Sequence, residues 1–214
     1  MGFKAQADVI TAVIIILLAA ALTTSAYLWG MPLVQKRQEV AMVEKVSSYF
    51  DRENSNSLVK KIEYIAKNGG EETFTSEVNG IWELYPYDFS GVQNNSIEFM
   101  FRSKATNIAP DVGWVPFKTS SISSPGYVGI DDQSVVFAKA ESAPDNTFLI
   151  RYRIWFRRLE SSDGKSYEIR LYPRNPSNPN ASTINTIRIS REGIPQPDPS
   201  NNNLIITKIQ ILLG

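Results

Sequence analysis

The sequence predicts an α+β protein, in which a long hydrophobic N-terminal helix is followed by an antiparallel β-sandwich. Residues 9–35 carry no charge, and a helical spacing of apolar side chains continues from there to Phe50. From residue 72 onward the pattern changes to short apolar/polar alternations, and 11 of the 12 prolines lie at or beyond Pro86. We therefore expect a helical segment over residues 6–54 and a β-rich domain over residues 55–214.

The composition excludes several classes of function. The 214 residues contain neither cysteine nor histidine, which removes disulfides, Cys or His zinc sites, thiol nucleophiles and serine–histidine hydrolases. The 22 basic and 22 acidic residues balance, so no overall field attracts nucleic acid. We predict no catalytic site, no metal site, no cofactor and no nucleic-acid partner.

The uncharged segment has the length and composition of a membrane span. Its centre, residues 9–22, is apolar on every face of a helix. A bilayer core of ~30 Å needs about 20 helical residues, and the segment supplies 27. The rest of the chain is too polar to bury such a helix, so we expect it to enter a membrane.

The helix is expected to continue beyond the uncharged segment to Phe50. Gly30 and Pro32 should interrupt or kink it, because proline lacks the N–H of the helical ladder. Two interpretations of the following apolar stripe stay open, namely packing on the chain's own domain or a seam between helices of an oligomer. The stripe consists of Val40, Val43, Val46 and Phe50.

The remaining elements follow from capping signals and alternation. A short helix is expected from residue 58 to Asn68, where two glycines end it. Seven or so strands with turn signals between them favour a sandwich of the immunoglobulin-like type. The predicted strands are residues 73–76, 80–84, 96–102, 135–139, 148–158, 167–172, 184–189 and 204–213.

Two strand pairings are expected. Residues 148–158 and 167–172 flank a turn at residues 162–165 and should form an antiparallel hairpin. The last strand, residues 204–213, should bury the face formed by Ile205, Ile209, Ile211 and Leu213, because a bare apolar edge would promote aggregation. We expect it within its own domain in preference to donation to a neighbouring subunit.

Three interpretations of the N-terminus are compatible with a membrane helix. A secretory signal could end near residues 24–26, where small residues form a passable cleavage site. A permanent anchor fits equally well. The third depends on Lys4, Ala5 and Gln6, a basic residue, a small residue and a polar residue immediately before the apolar helix.

In this last respect the chain resembles an archaeal type IV pilin or archaellin precursor with a class III signal peptide. The resemblance implies that residues 1–5 form a leader, which a prepilin peptidase removes between Ala5 and Gln6, and that the helix stays in the mature protein. The chain departs from the family pattern in having Ile10 at the fifth mature position, where many members carry Glu. A cut between Gly2 and Phe3 is the alternative, and it would leave a leader without charge.

The resemblance further implies a structural subunit of a helical homopolymer. The precursor would sit in the cytoplasmic membrane, and the assembled filament would stand on the cell surface, where its β-domains could meet a host surface or the surface layer. Small residues at positions 19–21 and Gly30 would let neighbouring helices approach closely. The residues expected to form the helical core are Ile10, Ile14, Ile15, Leu18 and Leu22. The alternative is a membrane-anchored binding, adhesion or accessory filament protein.

Other patterns in the sequence point to weaker sites. Asn94 and Asn180 begin Asn-X-Ser acceptors for N-glycosylation. The paired acids at 71–72 and 131–132 are expected in solvated turns, since neighbours in an extended chain point to opposite sides. A basic strand face is expected to pair across the sheet with Glu168 and its neighbours. Its members are Arg151, Arg153, Arg157 and Arg158, with Trp155.

Overall fold

The computed structural model describes residues 2–91, 93–119, 121–175 and 180–214. The chain divides into two compact units, residues 1–41 and residues 42–214. We call the first the helical unit and the second the head unit.

A single long helix, α1 (Gly2–Tyr49), provides the whole helical unit and the first two turns of the head unit. The helix remains continuous through Pro32. The helix is therefore not interrupted at Gly30 and Pro32, and the kink expected there stays a prediction. A proline inside a helix removes one backbone hydrogen bond. The remaining hydrogen bonds are sufficient to keep this part of the chain helical.

The second helix, α2 (Leu58–Asn68), begins and ends as the sequence predicts. The Ser57 hydroxyl accepts a hydrogen bond from the Lys60 N–H at 3.2 Å, which caps the N-terminus. At the other end Gly69 has a positive φ of 79°, and its N–H donates to the Ile65 carbonyl. The helix is strongly amphipathic and buries Leu58, Val59, Ile62, Ile65 and Ala66.

Thirteen strands follow in the described part of the chain, and all eight predicted strands are among them. They are β1 (Glu71–Thr75), β2 (Ile81–Tyr85), β3 (Ser96–Ser103), β4 (Val115–Pro116), β5 (Gly126–Tyr127), β6 (Ser134–Ala143), β7 (Thr147–Phe156), β8 (Leu159–Glu160), β9 (Ser166–Pro173), β10 (Ala181–Ser182), β11 (Thr186–Arg191), β12 (Gln196–Asp198) and β13 (Asn201–Leu213).

The strands form two sheets. The seven-stranded sheet has the order β1-β11-β13-β9-β8-β5, with β12 paired to β13, and the six-stranded sheet has the order β10-β2-β3-β7-β6-β4. The six-stranded sheet is antiparallel throughout, whereas the β9–β13 and β5–β8 pairs of the other sheet are parallel. The architecture is therefore α+β with mixed pairing, and the expectation of purely antiparallel pairing is wrong.

The hairpin predicted between residues 148–158 and 167–172 is also wrong. Strand β7 pairs with β3 and β6 in the six-stranded sheet, while β9 belongs to the seven-stranded sheet. The chain changes sheets between Phe156 and Leu159, and the turn at residues 161–165 joins the short strand β8 to β9. Alternation detects each strand, but it carries no information on which sheet the next strand enters.

The C-terminal strand β13 lies inside the seven-stranded sheet, where β9 and β11 flank it in the same chain. This agrees with the expectation that it pairs within its own domain. Ile209, Ile211 and Leu213 are buried as predicted, whereas Ile205 is only half-buried. Leu204 and Ile206 are buried as well, so the buried face changes between Ile206 and Ile209.

One hydrophobic core joins both sheets, α2 and the end of α1. Its largest members include Trp82 and Phe99 from the six-stranded sheet and Phe50 directly after α1. The seven-stranded sheet contributes Ile187 and Ile209, each fully buried. Three of the edge strands, β4, β5 and β10, are only two residues long, and short edge strands offer little backbone to another chain.

The central place of β13 predicts a large effect of truncating its side chains. Ile209→Ala should lower the free energy of unfolding by about 2–5 kcal/mol, because a fully buried side chain leaves a cavity. The neighbouring Lys208→Ala, at an exposed position, should change it by less than about 0.5 kcal/mol. Urea unfolding of the full chain in detergent, followed by tryptophan fluorescence, measures both. Equal effects of the two variants would contradict the placement of β13 in the core.

Candidate functional site

The apolar surface of the helical unit is the most unusual feature of the chain. Every large apolar side chain from Ile10 to Val34 is at least 38% exposed, and Leu22 is 71% exposed. The five residues predicted to form the helical core all belong to this surface. A soluble monomer rarely exposes a continuous apolar area of this length, which marks it as a surface for lipid or another chain.

Four of the predicted core residues form one ridge along α1. Ile10, Ile14, Leu18 and Leu22 follow one another at intervals of four residues, and such rows pack into the grooves of a neighbouring helix. Ile15 lies beside this ridge. The alanines at positions 19–21, next to Leu18 and Leu22, have small side chains that project little from the helix. A second helix can therefore approach closely.

Two hydroxyls in the uncharged segment are bonded within the helix. The hydroxyls of Thr23 and Thr24 each donate to a backbone carbonyl one turn earlier, on Ala19 and Ala20, at 2.8 Å. A hydroxyl bonded in this way needs no water. The segment can therefore enter lipid or a dry helical bundle without leaving these hydroxyls unpaired.

Among the described residues, the part of α1 from Ile10 to Tyr49 is long and apolar enough to cross a membrane. The uncharged part of α1, residues 9–35, corresponds to about 40 Å of helix at 1.5 Å per residue. That length exceeds the hydrocarbon core of a bilayer by roughly 10 Å. Lys4, Ala5 and Gln6, the predicted processing site, lie in the first two turns of α1.

Within the head unit, the last turns of α1 are embedded in aromatic side chains. The Phe50 ring stacks on Tyr152 with centroids 4.9 Å apart, and Tyr49 packs edge-on against Phe74 at 5.2 Å. Val43 and Val46 are buried as well, whereas Val40 is 39% exposed. For Val43, Val46 and Phe50 the apolar stripe therefore packs on the chain's own domain, one of the two interpretations left open by the sequence.

Charged groups fix the segment that follows α1. Arg52 forms ion pairs at 2.9 Å with Glu63 of α2 and with Asp132 before β6, and it also donates to the Ser134 carbonyl. The Ser134 hydroxyl in turn donates to Glu63 at 2.7 Å. Because Arg52 and Glu63 are mostly buried, this network links α1, α2 and the six-stranded sheet more firmly than an exposed ion pair would.

The paired acids have separate partners, and Glu71 and Glu72 lie in strand β1, so the turn expected at these two residues is wrong. Glu71 pairs with Arg174, and Glu72 with Lys61. Asp131 accepts a hydrogen bond from the Tyr127 N–H, which lowers the pKa of its carboxyl. No cluster of three acidic residues that could hold a metal ion occurs in the part of the chain that the structure describes.

The basic strand face pairs with other acids than expected. Arg153 bonds to Glu98 of β3 and Arg151 lies 3.8 Å from Glu141 of β6, because β3 and β6 are the true neighbours of β7. Glu168 instead holds Arg170 of its own strand. The predicted pairing with Glu168 was wrong for the same reason as the hairpin.

Arg157 lies beyond the end of β7, and its guanidinium is almost completely buried. It donates to the carbonyls of Ser123 and Asp132 at 2.6 and 2.8 Å and lies 3.5 Å from the Asp131 carboxylate. These contacts hold together the connection between β4 and β6. Arg157 therefore has a structural place, and it is unavailable to an external ligand.

Glu98 is the most deeply buried carboxyl of the six-stranded sheet, with 2% of its surface exposed. Burial raises the pKa of this carboxyl above its ordinary value of 4.5, and the Arg153 charge offsets only part of that effect. Glu83, its neighbour on β2, raises the pKa further by like-charge repulsion. The Trp114 ring covers the other side of Arg153 at 4.1 Å.

A buried asparagine that the sequence analysis missed connects the two sheets. The Asn95 amide donates to the carbonyls of Phe156 and Ile169 at 2.9 and 2.7 Å, and its oxygen accepts from the Leu171 N–H at 2.9 Å. Its φ is +57°, a conformation that asparagine tolerates better than most residues. Asn-Asn before an alternating segment signals a turn, but it does not reveal these partners.

The two glycosylation acceptors differ in access. Asn94 is half-buried, and the Ser96 hydroxyl of its acceptor sequence is buried and donates to the Gln93 carbonyl at 2.6 Å. Asn180 is exposed and lies next to the edge strand β10. In the folded chain only Asn180 presents its acceptor sequence to an enzyme.

Comparisons with known proteins yield no match to a protein-family model, to a curated protein or to a solved structure.

The position of Asn95 predicts a large loss of stability on substitution. Asn95→Ala should lower the free energy of unfolding by roughly 2–4 kcal/mol, since it removes three buried hydrogen bonds and strains a residue of positive φ. Asn95→Gly should cost less than Asn95→Ala, because glycine accepts that φ. Asn94→Ala is the matched control and should stay within about 0.5 kcal/mol of the parent chain. Urea unfolding of unglycosylated protein measures all three, and an Asn95→Ala variant as stable as the control would refute the assigned role.

The raised pKa of Glu98 predicts a pH-dependent difference between the parent chain and Glu98→Gln. A carboxyl whose pKa is higher in the folded state favours folding while protonated, so its contribution is lost as pH rises above 4.5. The Glu98→Gln variant has no ionisable carboxyl at this position, so it does not lose stability in this way as the pH rises. Its stability relative to the parent should therefore increase between pH 4 and pH 7, measured by urea unfolding at each pH. A relative decrease over that interval would show that the Arg153 charge outweighs burial.

Proposed function

We propose that the chain is a non-enzymatic structural subunit of an extracellular filament of the archaeal type IV pilus or archaellum kind, which polymerises through the uncharged part of α1. The observation that carries the proposal is a continuous exposed apolar surface over residues 10–34 of the helix, in which the Thr23 and Thr24 hydroxyls are bonded internally. Such a helix must be removed from water, and the head unit's core is already filled by its own side chains.

Membrane and filament core both meet this requirement. In lipid the helix is surrounded by acyl chains, and in a bundle of copies it is surrounded by equivalent helices of the same chemistry. Transfer between these two apolar environments has a small net free energy. A precursor held in the cytoplasmic membrane can therefore supply subunits to a growing filament without exposing the helix to water.

Repeated contacts between helices of successive copies favour a fibre. A contact between one face of a helix and a different face of the next copy does not close on itself, and its repetition produces an open helical polymer. In this arrangement the head units, whose two sheets we propose to form an immunoglobulin-like sandwich, make the outer sheath. That sheath faces solvent, a host surface or the surface layer.

A second candidate is a monomeric, membrane-anchored binding or accessory protein. It is favoured by the same helix, because one membrane span already keeps about 20 of its apolar residues from water. The two functions differ in the fate of the chain: a filament subunit leaves the membrane with neighbouring copies, and an anchored protein stays in it.

The proposal predicts how the precursor is processed. Mass analysis of the protein recovered from cells should find Gln6 as the first residue, with the whole apolar helix retained. A mature start at Phe3 would support processing at the alternative position. A start near Tyr27 would show that the helix is a secretory signal and would end the filament proposal.

The proposal also predicts that a charge in the middle of the helix abolishes filaments. Ile15→Lys should cost about 3 kcal/mol at the bilayer centre, and more in a dry helical bundle. Gln38→Lys, at an exposed position beyond the uncharged segment, is the matched control and should assemble normally. Electron microscopy of shed filaments, with immunoblots of membrane fractions, measures both. Normal filaments from Ile15→Lys cells would exclude this helix from the core.

A further inference from the structure

A loop rich in aromatic residues forms the wall of a surface pocket on the head unit. The loop joins β2 to β3, and its first five residues are Tyr85, Pro86, Tyr87, Asp88 and Phe89. An open pocket of about 380 Å³ lies between this loop, the end of β9 and the start of β10. It is lined by Pro86, Asp88, Phe89, Tyr172, Pro173 and Asn180.

Backbone hydrogen bonds fix this loop to the seven-stranded sheet. The Tyr87 N–H donates to the Leu171 carbonyl at 2.9 Å, and the N–H groups of Phe89 and Asn95 both donate to the Pro86 carbonyl. The Asn95 side chain binds the same stretch of β9 from the other end of the loop. The wall is therefore held in place before any ligand arrives, which reduces the entropy lost on binding.

The rings support one another in pairs. Phe89 is 41% exposed, and its ring is held edge-on by Tyr85 at 5.3 Å. Tyr172 packs against Tyr87 at 6.5 Å, and Arg170 stacks on Tyr87 at 3.9 Å. Phe89 and Tyr172, which both line the pocket, are therefore each held by a neighbouring ring.

We propose that this pocket binds a neutral carbohydrate. A sugar ring has one face of C–H groups, which packs on an aromatic ring, and a rim of hydroxyls, which needs hydrogen-bond acceptors and donors. Phe89 and Tyr172 provide the aromatic rings. The Asp88 carboxylate and the Asn180 amide provide the hydrogen-bonding groups. An exposed Phe alone needs no such explanation. The combination of two supported rings, a carboxylate and an amide around one concavity is what selects a sugar.

The carbohydrate can come from two sources. Asn180 lines the pocket and is also the accessible glycosylation acceptor, so a glycan attached there would start at the pocket wall. Alternatively, the ligand is a glycan on another surface. Neither source depends on polymerisation, so the inference stands or falls separately from the proposed filament.

The test uses the full chain, produced without glycosylation in a bacterial host and kept in lauryldimethylamine oxide, a detergent without a sugar headgroup. The probes are arrayed neutral oligosaccharides that end in mannose, glucose, galactose or N-acetylhexosamine. We expect binding to at least one class. Phe89→Ala and Asp88→Asn should each weaken it by about tenfold or more. Tyr64→Ala, which removes a 57% exposed ring on α2 outside the pocket, should leave it unchanged.

A second arm identifies the source of the sugar. If protein from its native host fails to bind the array and Ser182→Ala from the same host binds, the pocket is occupied by the chain's own glycan, because that substitution removes the acceptor sequence and leaves the pocket lining unchanged. Binding by both indicates a glycan on another surface. Absence of binding by unglycosylated protein, or binding that survives both pocket substitutions, overturns the proposal.

Discussion

The requirement to keep an uncharged stretch of 27 residues away from water determines the organisation of this protein. Each large apolar side chain on that helix would gain roughly 1.5–3 kcal/mol from full burial, so leaving the row exposed would be very unfavourable. The hydroxyls of Thr23 and Thr24 are bonded within the helix, so these two groups need no water when the helix is buried. The solubility of the protein outside this helix therefore depends on the head unit, whose charged side chains form local ion pairs.

The head unit is built around the end of the same helix. Phe50 stacks on Tyr152, and Val43 and Val46 are buried in the core that both sheets share. Arg52 adds ion pairs to α2 and to the segment before β6. The head unit's folding and its attachment to α1 therefore depend on the same set of side chains, so a substitution at Phe50 would affect both.

The sequence was sufficient to predict the helices and the longer strands, but it was insufficient to predict how the strands pair. The apolar helix, α2 with its Ser57 cap and the longer strands follow from periodicity and capping, which are local properties. The strands that pair with β7 depend on where the chain changes sheets. That change occurs just beyond Phe156, where the short strand β8 leads into β9. The buried roles of Asn95 and Arg157 could not be predicted for the same reason: their partners are distant in sequence, and neither residue type is usually buried. The helix surface was predictable because it depends on composition alone.

The central claim is that the uncharged helix forms the core of a filament made of copies of this chain. Electron cryo-microscopy of filaments sheared from intact cells tests it most directly. The account predicts a central bundle of helices with side-chain density that fits the sequence from residue 9 to residue 35, surrounded by head units that contain the two sheets. Filaments built from another protein, with this chain recovered only as single copies in the membrane, would contradict it.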